Sequence, residues 1–332
     1  MRWSILVRLS AVLSLAQPFQ LLAEPTGGDD TLSALQQVDG QLAAIGYRLV
    51  TTNLALCDRV APSPGWVIHA LAQYDSSLRS AATARFGFEA PVAVETVVPG
   101  SAAATAGVQA GDSVLAVNGT AVSAAAPTGK AGVAERDAAL ALIASQPAAA
   151  PLSLDLLRNG RRRQVTIAAS PGCQASFELK VGPGLTAASD GQGVQIGSAF
   201  FARWPEDEVA AVVAHEMAHL VLRHRSRLEA AGITSGMLAE LGRAGRIHRR
   251  VEDEADRLSV ALLYNAGFDP SAAVRLWRNH GGQIDGGLFR SRTHPSSKAR
   301  AAALEQEIAA IPPGSPRPYR PALIDTRSTP LQ

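Results

Sequence analysis

Apolar residues recur at helical spacing through the carboxyl-terminal part of the chain. The pattern predicts a long helix that begins at Pro205, and further helices over about 247–266, 270–279 and 296–310. Proline suits the first helical position, and the acidic residues that follow it favour the positive end of the helix dipole. His224 is interpreted as a charge at the end of this first helix. This part of the chain is therefore predicted to be mostly helical.

The middle of the chain has a different pattern, in which short apolar runs alternate with turn residues. Strands are predicted over 92–98 and 113–117, and a hairpin is predicted to turn at Asn159-Gly160. Nearer the amino terminus, apolar residues between 32 and 45 again follow helical spacing, and Gly46 is predicted to end that helix. We therefore predict an α+β fold, in which a small β-rich domain is inserted into a mostly helical one.

The composition is that of a globular protein. Hydrophobic residues make up 47% of the 332 residues and charged residues 18%, which predicts a sizeable core rather than disorder. The formal net charge of +2 is too small to favour a nucleic-acid partner or an anionic membrane surface.

The first 23 residues combine a basic start, a short apolar run and a small residue before Glu24. These features are typical of a secretory signal peptide cleaved near Ala23 and predict a periplasmic or secreted protein. No later stretch is long and apolar enough to span a bilayer, so no integral membrane segment is expected in the mature chain. Export also permits a disulfide between Cys57 and Cys173. The alternatives are an uncleaved membrane anchor and two buried free thiols.

Three titratable residues interrupt the apolar side of the helix that begins at Pro205: His215, Glu216 and His219. Residues four apart share a helix face, so both imidazoles can bind one zinc ion. Glu216, offset by about 100°, can instead act as general base on a water. Buried polar groups without partners would cost roughly 1–3 kcal/mol each, a cost that a metal removes. Histidines satisfied within the core are the alternative.

A catalytic zinc site needs a third protein ligand and an open position. The helix predicted over 247–266 offers Glu252 and Asp256 on one face, whereas Glu254 points elsewhere. We take Glu252 as the third ligand and Asp256 as the acceptor that orients a histidine ring. A solvated acidic face is the alternative.

The β-rich block, residues 80–172, resembles a PDZ domain. The matching residues are Pro99-Gly100-Ser101-Ala102-Ala103, Ala106-Gly107-Val108, Gly111-Asp112 and Val117-Asn118-Gly119. The resemblance implies a groove that captures a chain terminus or an exposed strand by strand addition. Arg85, Phe86, Gly87 and Phe88 stand where such domains keep their carboxylate-binding turn. A degenerate domain that only packs against its neighbour is the alternative.

Three ordered segments resemble the HtpX-like and CAAX-prenyl-protease-like zinc metallopeptidases, which are gluzincins. The segments are AAVVAHEMAHLVLRH, VEDEADRLSV and THPSSKAR, within about residues 180–310. The resemblance implies one zinc ion per chain, with His215, His219 and Glu252 as ligands, Glu216 as base and Asp256 in support. The transmembrane helices of the membrane-spanning members are absent, so the chain looks more like the soluble exported members.

The third segment contains His294 and Arg300, which correspond to the H-P…R part of the family pattern. The resemblance implies that His294 covers the open zinc position in a resting state or hydrogen-bonds the transition-state oxyanion. Arg300 is expected to contact the oxyanion or to pair with Asp256. Capping of the last helix by both residues stays open.

These features predict a zinc-dependent metalloendopeptidase of a bacterial-type cell envelope that hydrolyses unfolded or misassembled polypeptides. The predicted parts are a signal peptide (1–23), the first part of the peptidase domain (24–79), the PDZ-like domain (80–172), the catalytic domain (173–311) and a Pro-rich tail (312–332) that is either loose or draped over the surface. The main rival is a peptide-binding chaperone or adaptor whose structural zinc site is closed by His294. A cell-wall amidase has only the compartment in its favour.

Overall fold

The computed structural model describes residues 28–122, 130–233, 242–284 and 296–331. The predicted signal peptide and His294 lie outside the described residues. Within the described residues the chain folds as α+β, with a helical part and a β-rich part. No helix among these residues combines the length and the apolar character that a bilayer crossing requires.

The helices of the described residues are α1 (Gly28–Thr52), α2 (Arg79–Phe86), α3 (Ala102–Thr105), α4 (Ala134–Ala144), α5 (Ser198–Arg203), α6 (Glu206–Val221), α7 (His224–Ala230), α8 (Gly242–Asn265), α9 (Ser271–Ile284) and α10 (Ser297–Ala310). The strands are β1 (Val60–Pro62), β2 (Trp66–Ala70), β3 (Val92–Val97), β4 (Ser113–Val117), β5 (Thr120–Ala121), β6 (Leu152–Arg158), β7 (Arg161–Ile167), β8 (Pro171–Cys173), β9 (Ser176–Lys180), β10 (Ala187–Ser189) and β11 (Gly193–Gly197).

The four helices predicted for the carboxyl-terminal part are confirmed as α6, α8, α9 and α10, with shifts at their ends. Pro205 is the N-cap of α6 rather than its first helical residue. α10 begins after Ser296, whose side chain accepts a hydrogen bond from the backbone N–H of Ala299 and so satisfies one free donor of the first turn.

Helix α1 is longer than predicted, because it does not end at Gly46 but continues to Thr52. Gly46 allows a close approach instead. A Cβ atom at this position would lie 2.6 Å from the ring of Phe177 on β9. The glycine therefore marks a contact between helix and strand, which local sequence signals do not distinguish from a helix end.

A six-stranded sheet forms the β-rich part, with strand order β2-β3-β4-β6-β7 and β5 paired to β4. The predicted hairpin is confirmed: β6 and β7 pair around Asn159 and Gly160, whose φ angles of 53° and 70° lie in the left-handed region. Ala139 and Ile143 of α4 pack against this sheet. Strand β2 lies before residue 80, the predicted start of the PDZ-like domain, and the domain limits stay predictions.

Two short strands join the β-rich part to the helical part. β1 pairs antiparallel with β8, so the chain enters and leaves the β-rich part side by side. Cys57 and Cys173 lie at this junction and form a disulfide, with their Cα atoms 5.5 Å apart. Both ends of the insertion are thus held at one point.

The residues predicted to form a carboxylate-binding turn lie at the end of α2. Gly87 has a φ of 67° and ends the helix in the left-handed conformation. Phe86 and Phe88 are buried in a small apolar cluster with α1, and the guanidinium of Arg85 donates hydrogen bonds to two side chains of α1. The side chains of Phe86 and Phe88 thus fill a small core. The role of Arg85, Phe86, Gly87 and Phe88 in peptide binding stays a prediction.

The main core lies in the helical part. Helix α6 is buried along most of its length and packs against α1, α8 and a three-stranded sheet of order β10-β11-β9. Of the two alternatives for the Pro-rich tail, a loose tail does not agree with the described residues. Ile324 is 0% exposed within this core, and Leu331 is buried against Ile247 and Val251. These two apolar side chains anchor the tail despite its prolines.

Candidate metal centre

Helix α6 carries His215, Glu216 and His219 near its carboxyl end. The two histidines lie one turn apart, and their Nε2 atoms are 3.2 Å from each other. The neighbouring apolar side chains of α6 are buried, whereas the two histidines and Glu216 are partly exposed. The helix therefore holds these three groups at the edge of the core, where solvent reaches them.

Helix α8 packs against α6 and brings Glu252 to the same place. Its carboxylate oxygens lie 3.4 Å from Nε2 of His215 and 3.7 Å from Nε2 of His219. One ligand atom from each of the three residues lies within 4.8 Å of the others. The structure thus brings together the three predicted ligands, and we call His215, His219 and Glu252 the metal cluster.

A second carboxylate lies behind His215. Asp256, one turn after Glu252 on α8, has Oδ1 3.0 Å from Nδ1 of His215. An ionised carboxylate only accepts hydrogen bonds, so Nδ1 of His215 carries the proton and Nε2 points toward the cluster. This contact is the one predicted for Asp256.

Arg300 on α10 holds this carboxylate in place. Its Nε and one terminal nitrogen each donate to an oxygen of Asp256 at 2.6 Å. The guanidinium also lies over the ring of Trp277, 3.6 Å from the ring centroid. Of the predicted alternatives for Arg300, the structure contains the pairing with Asp256.

The electrostatics of the cluster favour bound positive charge. Burial lowers the pKa of His215, but hydrogen bonds to Asp256 and Glu252 outweigh burial and raise it to about 10. Burial lowers the pKa of His219 to about 3, although the charge of Glu252 opposes the shift. Burial raises the pKa of Asp256, but the charge of Arg300 and the hydrogen bond from His215 outweigh it and leave that pKa lowered. These shifts favour a positive charge beside Glu252 and Asp256, and they leave His219 neutral, with a lone pair that can bind a metal.

The donor set and its spacing fit zinc. Two imidazole nitrogens and one carboxylate are ligands that zinc accepts, and two nitrogen ligands of a tetrahedral zinc ion lie about 3.3 Å apart. The observed separation between the two Nε2 atoms is 3.2 Å. Side-chain exposures of 15%, 14% and 15% for His215, His219 and Glu252 leave one side of the cluster open to solvent. The described residues thus offer three ligands and an approach for a fourth.

The interpretation of His224 as a charge at a helix end is wrong. Helix α6 ends at Val221, and His224 is 1% exposed, with its Nδ1 2.8 Å from Nδ1 of His219. Its Nε2 lies 3.2 Å from Oε2 of Glu254 on α8. Arg223 causes the difference, because its φ of 55° turns the chain back toward α6.

Two segments of the chain match known families. Residues 94–137 match the PDZ domain, and residues 229–308 match Peptidase family M48. The second match contains Glu252, Asp256 and Arg300 and begins after His219. The matches agree with the α+β fold and with the two kinds of domain predicted.

Part of the chain is also similar to two curated metalloendopeptidases. The mitochondrial metalloendopeptidase OMA1 of Schizosaccharomyces pombe is 35% identical over 122 residues, which cover 30% of this chain and 36% of the relative. The protein of the same name from Arabidopsis thaliana is 31% identical over 121 residues, which cover 30% of this chain and 24% of the relative. The chain thus spans little more than a third of the first relative and less of the second. These similarities support a metallopeptidase of the M48 type, and membership of the HtpX-like or CAAX-prenyl-protease-like group stays a prediction.

Proposed function

We propose that this protein is a zinc-dependent metalloendopeptidase. The observation that carries the proposal is the convergence of His215, His219 and Glu252 at ligand spacing, on two packed helices, with Glu216 beside them on α6. The similarity to Peptidase family M48 and to curated metalloendopeptidases supports the same activity.

The chemistry that bound zinc supplies is Lewis acidity, which polarises a carbonyl and lowers the pKa of water. The protein's own groups do the remaining work. Glu216 accepts a proton from the attacking water and returns it to the leaving amine, so one carboxylate serves as general base and then as general acid. Asp256 accepts the proton of Nδ1 of His215 and so orients the ring with Nε2 toward the metal cluster, and Arg300 keeps Asp256 ionised and correctly oriented.

The substrates we propose are unfolded or misassembled polypeptides of a bacterial-type cell envelope. The match to a PDZ domain supports recognition of an extended segment or a chain terminus by the β-rich part. The predicted signal peptide and the disulfide between Cys57 and Cys173 support an oxidising compartment outside the cytoplasm.

The test is zinc content and casein cleavage of the mature chain, compared with the variant Glu216→Gln. The variant is expected to keep its zinc and to lose cleavage by a factor of about 10²–10⁴, because only the base is removed. Glu206→Gln is a matched control, because Glu206 lies on the same helix but is 63% exposed at its side chain and far from the cluster. The control is expected to cleave like the unchanged protein.

Two results would contradict the proposal. Cleavage by Glu216→Gln at the unchanged rate would remove the mechanism. Bound zinc without any cleavage by the unchanged protein would favour the rival, a peptide-binding chaperone or adaptor with a closed zinc site. Faster cleavage by His294→Ala would support the role of His294 as a cover over the open zinc position.

A further inference from the structure

We propose that His224 and Glu254 position His219 for metal binding, by holding its imidazole in the tautomer that has its lone pair on Nε2. The inference rests on the proposed function, because this tautomer matters only if His219 is a ligand. Both residues act through His219, so they are positioning residues rather than catalytic ones.

The carboxylate of Glu254 is fixed as a hydrogen-bond acceptor. Its carboxylate receives hydrogen bonds from Arg227 at 2.7 Å and from Arg250 at 2.8 Å. A carboxylate held by two guanidinium groups is ionised, and an ionised carboxylate has no proton to donate. The Nε2 atom of His224, 3.2 Å from Oε2 of Glu254, is therefore the donor in this contact.

The second ring nitrogen of His224 is an acceptor. This residue is 1% exposed, and the two guanidinium groups already balance the charge of Glu254, so the imidazole is neutral. A neutral imidazole has one N–H group, and with that group on Nε2 its Nδ1 atom can only accept. The Nδ1 atom of His219, 2.8 Å away, must then donate.

The tautomer of His219 places its lone pair at the metal cluster. With its proton on Nδ1, His219 has its lone pair on Nε2, the nitrogen that faces His215 and Glu252. This is the form in which imidazole binds a metal through Nε2. A chain of directed hydrogen bonds from Glu254 to His219 therefore sets the ligand in its binding form.

The two histidines of the cluster have related supports. His215 donates directly to Asp256, which Arg300 holds. His219 instead donates through His224 to Glu254, which two arginines hold. In both cases the hydrogen bonds that start at the imidazole lead to a carboxylate, and guanidinium groups keep this carboxylate ionised. Such partners tune the orientation and the basicity of a metal ligand.

The backbone between α6 and α7 is shaped for this contact. Arg223 has a φ of 55° and a ψ of 37°, in the left-handed region that residues with a side chain rarely adopt. This turn starts α7 at His224 and brings the His224 ring within 4.8 Å of the His219 ring, centroid to centroid. A strained turn that places an imidazole against a proposed ligand agrees with a positioning role.

The first test uses the unchanged, zinc-loaded protein with ¹⁵N-labelled histidine. We expect His219 to carry its proton on Nδ1, and we expect an ¹⁵N–¹⁵N coupling across the hydrogen bond to Nδ1 of His224. A proton on Nε2 of His219, or a donor at Nδ1 of His224, would overturn the proposal. This measurement needs no substitution, so it stands even if variants at position 224 fail to fold.

The second test compares two variants of one position. In His224→Asn the side-chain oxygen replaces Nδ1 and can still accept from His219, whereas in His224→Gln the polar group lies at the position of Nε2. We expect His224→Gln to bind zinc about 10–100-fold more weakly in competition with a chelator, and His224→Asn to retain most of the affinity. His69→Gln is the control, because His69 is also 1% exposed but lies on β2 of the β-rich part. We expect this variant to bind zinc as tightly as the unchanged protein.

The outcomes separate this proposal from the proposed function. If the unchanged protein neither binds zinc nor cleaves casein, the proposed function fails. If the unchanged protein does both, while His224→Gln and His224→Asn match its zinc affinity or lose it equally, only the positioning role is wrong.

Discussion

Arg300 contacts three parts of the candidate metal centre at once. It donates to both oxygens of Asp256, lies 3.7 Å from the carboxylate of Glu252, and stacks on Trp277. A planar guanidinium can make the paired hydrogen bonds and the stacking contact together, whereas an ammonium group supplies only charge. The shape of this side chain, and not its charge alone, is therefore expected to matter.

The variant Arg300→Lys tests that expectation. We expect zinc affinity to fall about tenfold, because Asp256 loses its paired donors and His215 loses a fixed partner. Chelator competition measures the affinity. Arg257→Lys is the matched control, because Arg257 also pairs with a carboxylate, that of Glu307 on α10 at 2.9 Å, but is 43% exposed. Equal affinity of the Arg300 variant and the control would show that charge alone suffices.

At the scale of elements, α1 joins the two parts of the fold through two glycines with different surroundings. A Cβ atom on Gly46 would lie 2.6 Å from the ring of Phe177, whereas a Cβ atom on Gly40 would lie 3.6 Å from the nearest atom of Thr96. The first position has no room for a methyl group and the second does. The close packing of α1 against β9 therefore depends on a glycine at position 46.

The pair Gly46→Ala and Gly40→Ala gives effects of opposite sign. Alanine favours a helix over glycine by about 1 kcal/mol, so Gly40→Ala is expected to raise the free energy of unfolding by up to that amount. Gly46→Ala is expected to lower it by about 1–3 kcal/mol, because overpacking against Phe177 exceeds the gain in helix propensity. Urea unfolding of both variants measures the difference. A stabilised Gly46→Ala would mean that the ring moves freely.

The periodicity of the sequence predicts much of the candidate metal centre, but not all of it. The spacing of His215 and His219, and of Glu252 and Asp256, places each pair on one helix face whatever the tertiary packing. His224 escaped this reasoning, because its position depends on a left-handed residue that is not glycine, and no sequence pattern indicates such a turn. Gly46 was likewise misread, since its reason lies in β9, far along the chain.

At the scale of the whole molecule, acidic groups are buried where α1 meets the β-rich sheet. Asp39 of α1 and Glu95 of β3 share a hydrogen bond, with His69 of β2 nearby. Burial, with the charge of Asp39, raises the pKa of Glu95 from 4.5 to about 8. Burial raises the pKa of Asp39 to about 6, although Arg136 opposes the shift. Burial lowers the pKa of His69 to about 3.

Glu95 is expected to make stability depend on pH. Because the pKa of Glu95 is raised from 4.5 to about 8, the folded state binds more protons over that interval, and stability falls as pH rises through it. The loss is on the order of 1 kcal/mol per pH unit for one such group. The lowered pKa of His69 opposes this loss only below its ordinary value of 6.5, so urea unfolding between about pH 7 and about pH 8.5 measures the slope of Glu95.

Glu95→Gln removes the titrating group and keeps a polar side chain. We expect a flatter dependence on pH and a variant more stable than the unchanged protein at high pH. Glu89→Gln is a control, because Glu89 is exposed and lies before β3, outside the buried cluster. Parallel curves for the unchanged protein and Glu95→Gln would exclude the cluster as the source of the slope.

The disulfide between Cys57 and Cys173 brackets every residue of the β-rich part, and β1 and β8 tie the same two ends through backbone hydrogen bonds. A nick anywhere between the two cysteines therefore leaves both fragments covalently attached. Electrophoresis without a reducing agent would display such a molecule as intact, and only reduction would separate the pieces. If the protein cleaved itself between the two cysteines, the nicked form would therefore accumulate without being detected, and the β-rich part would stay attached.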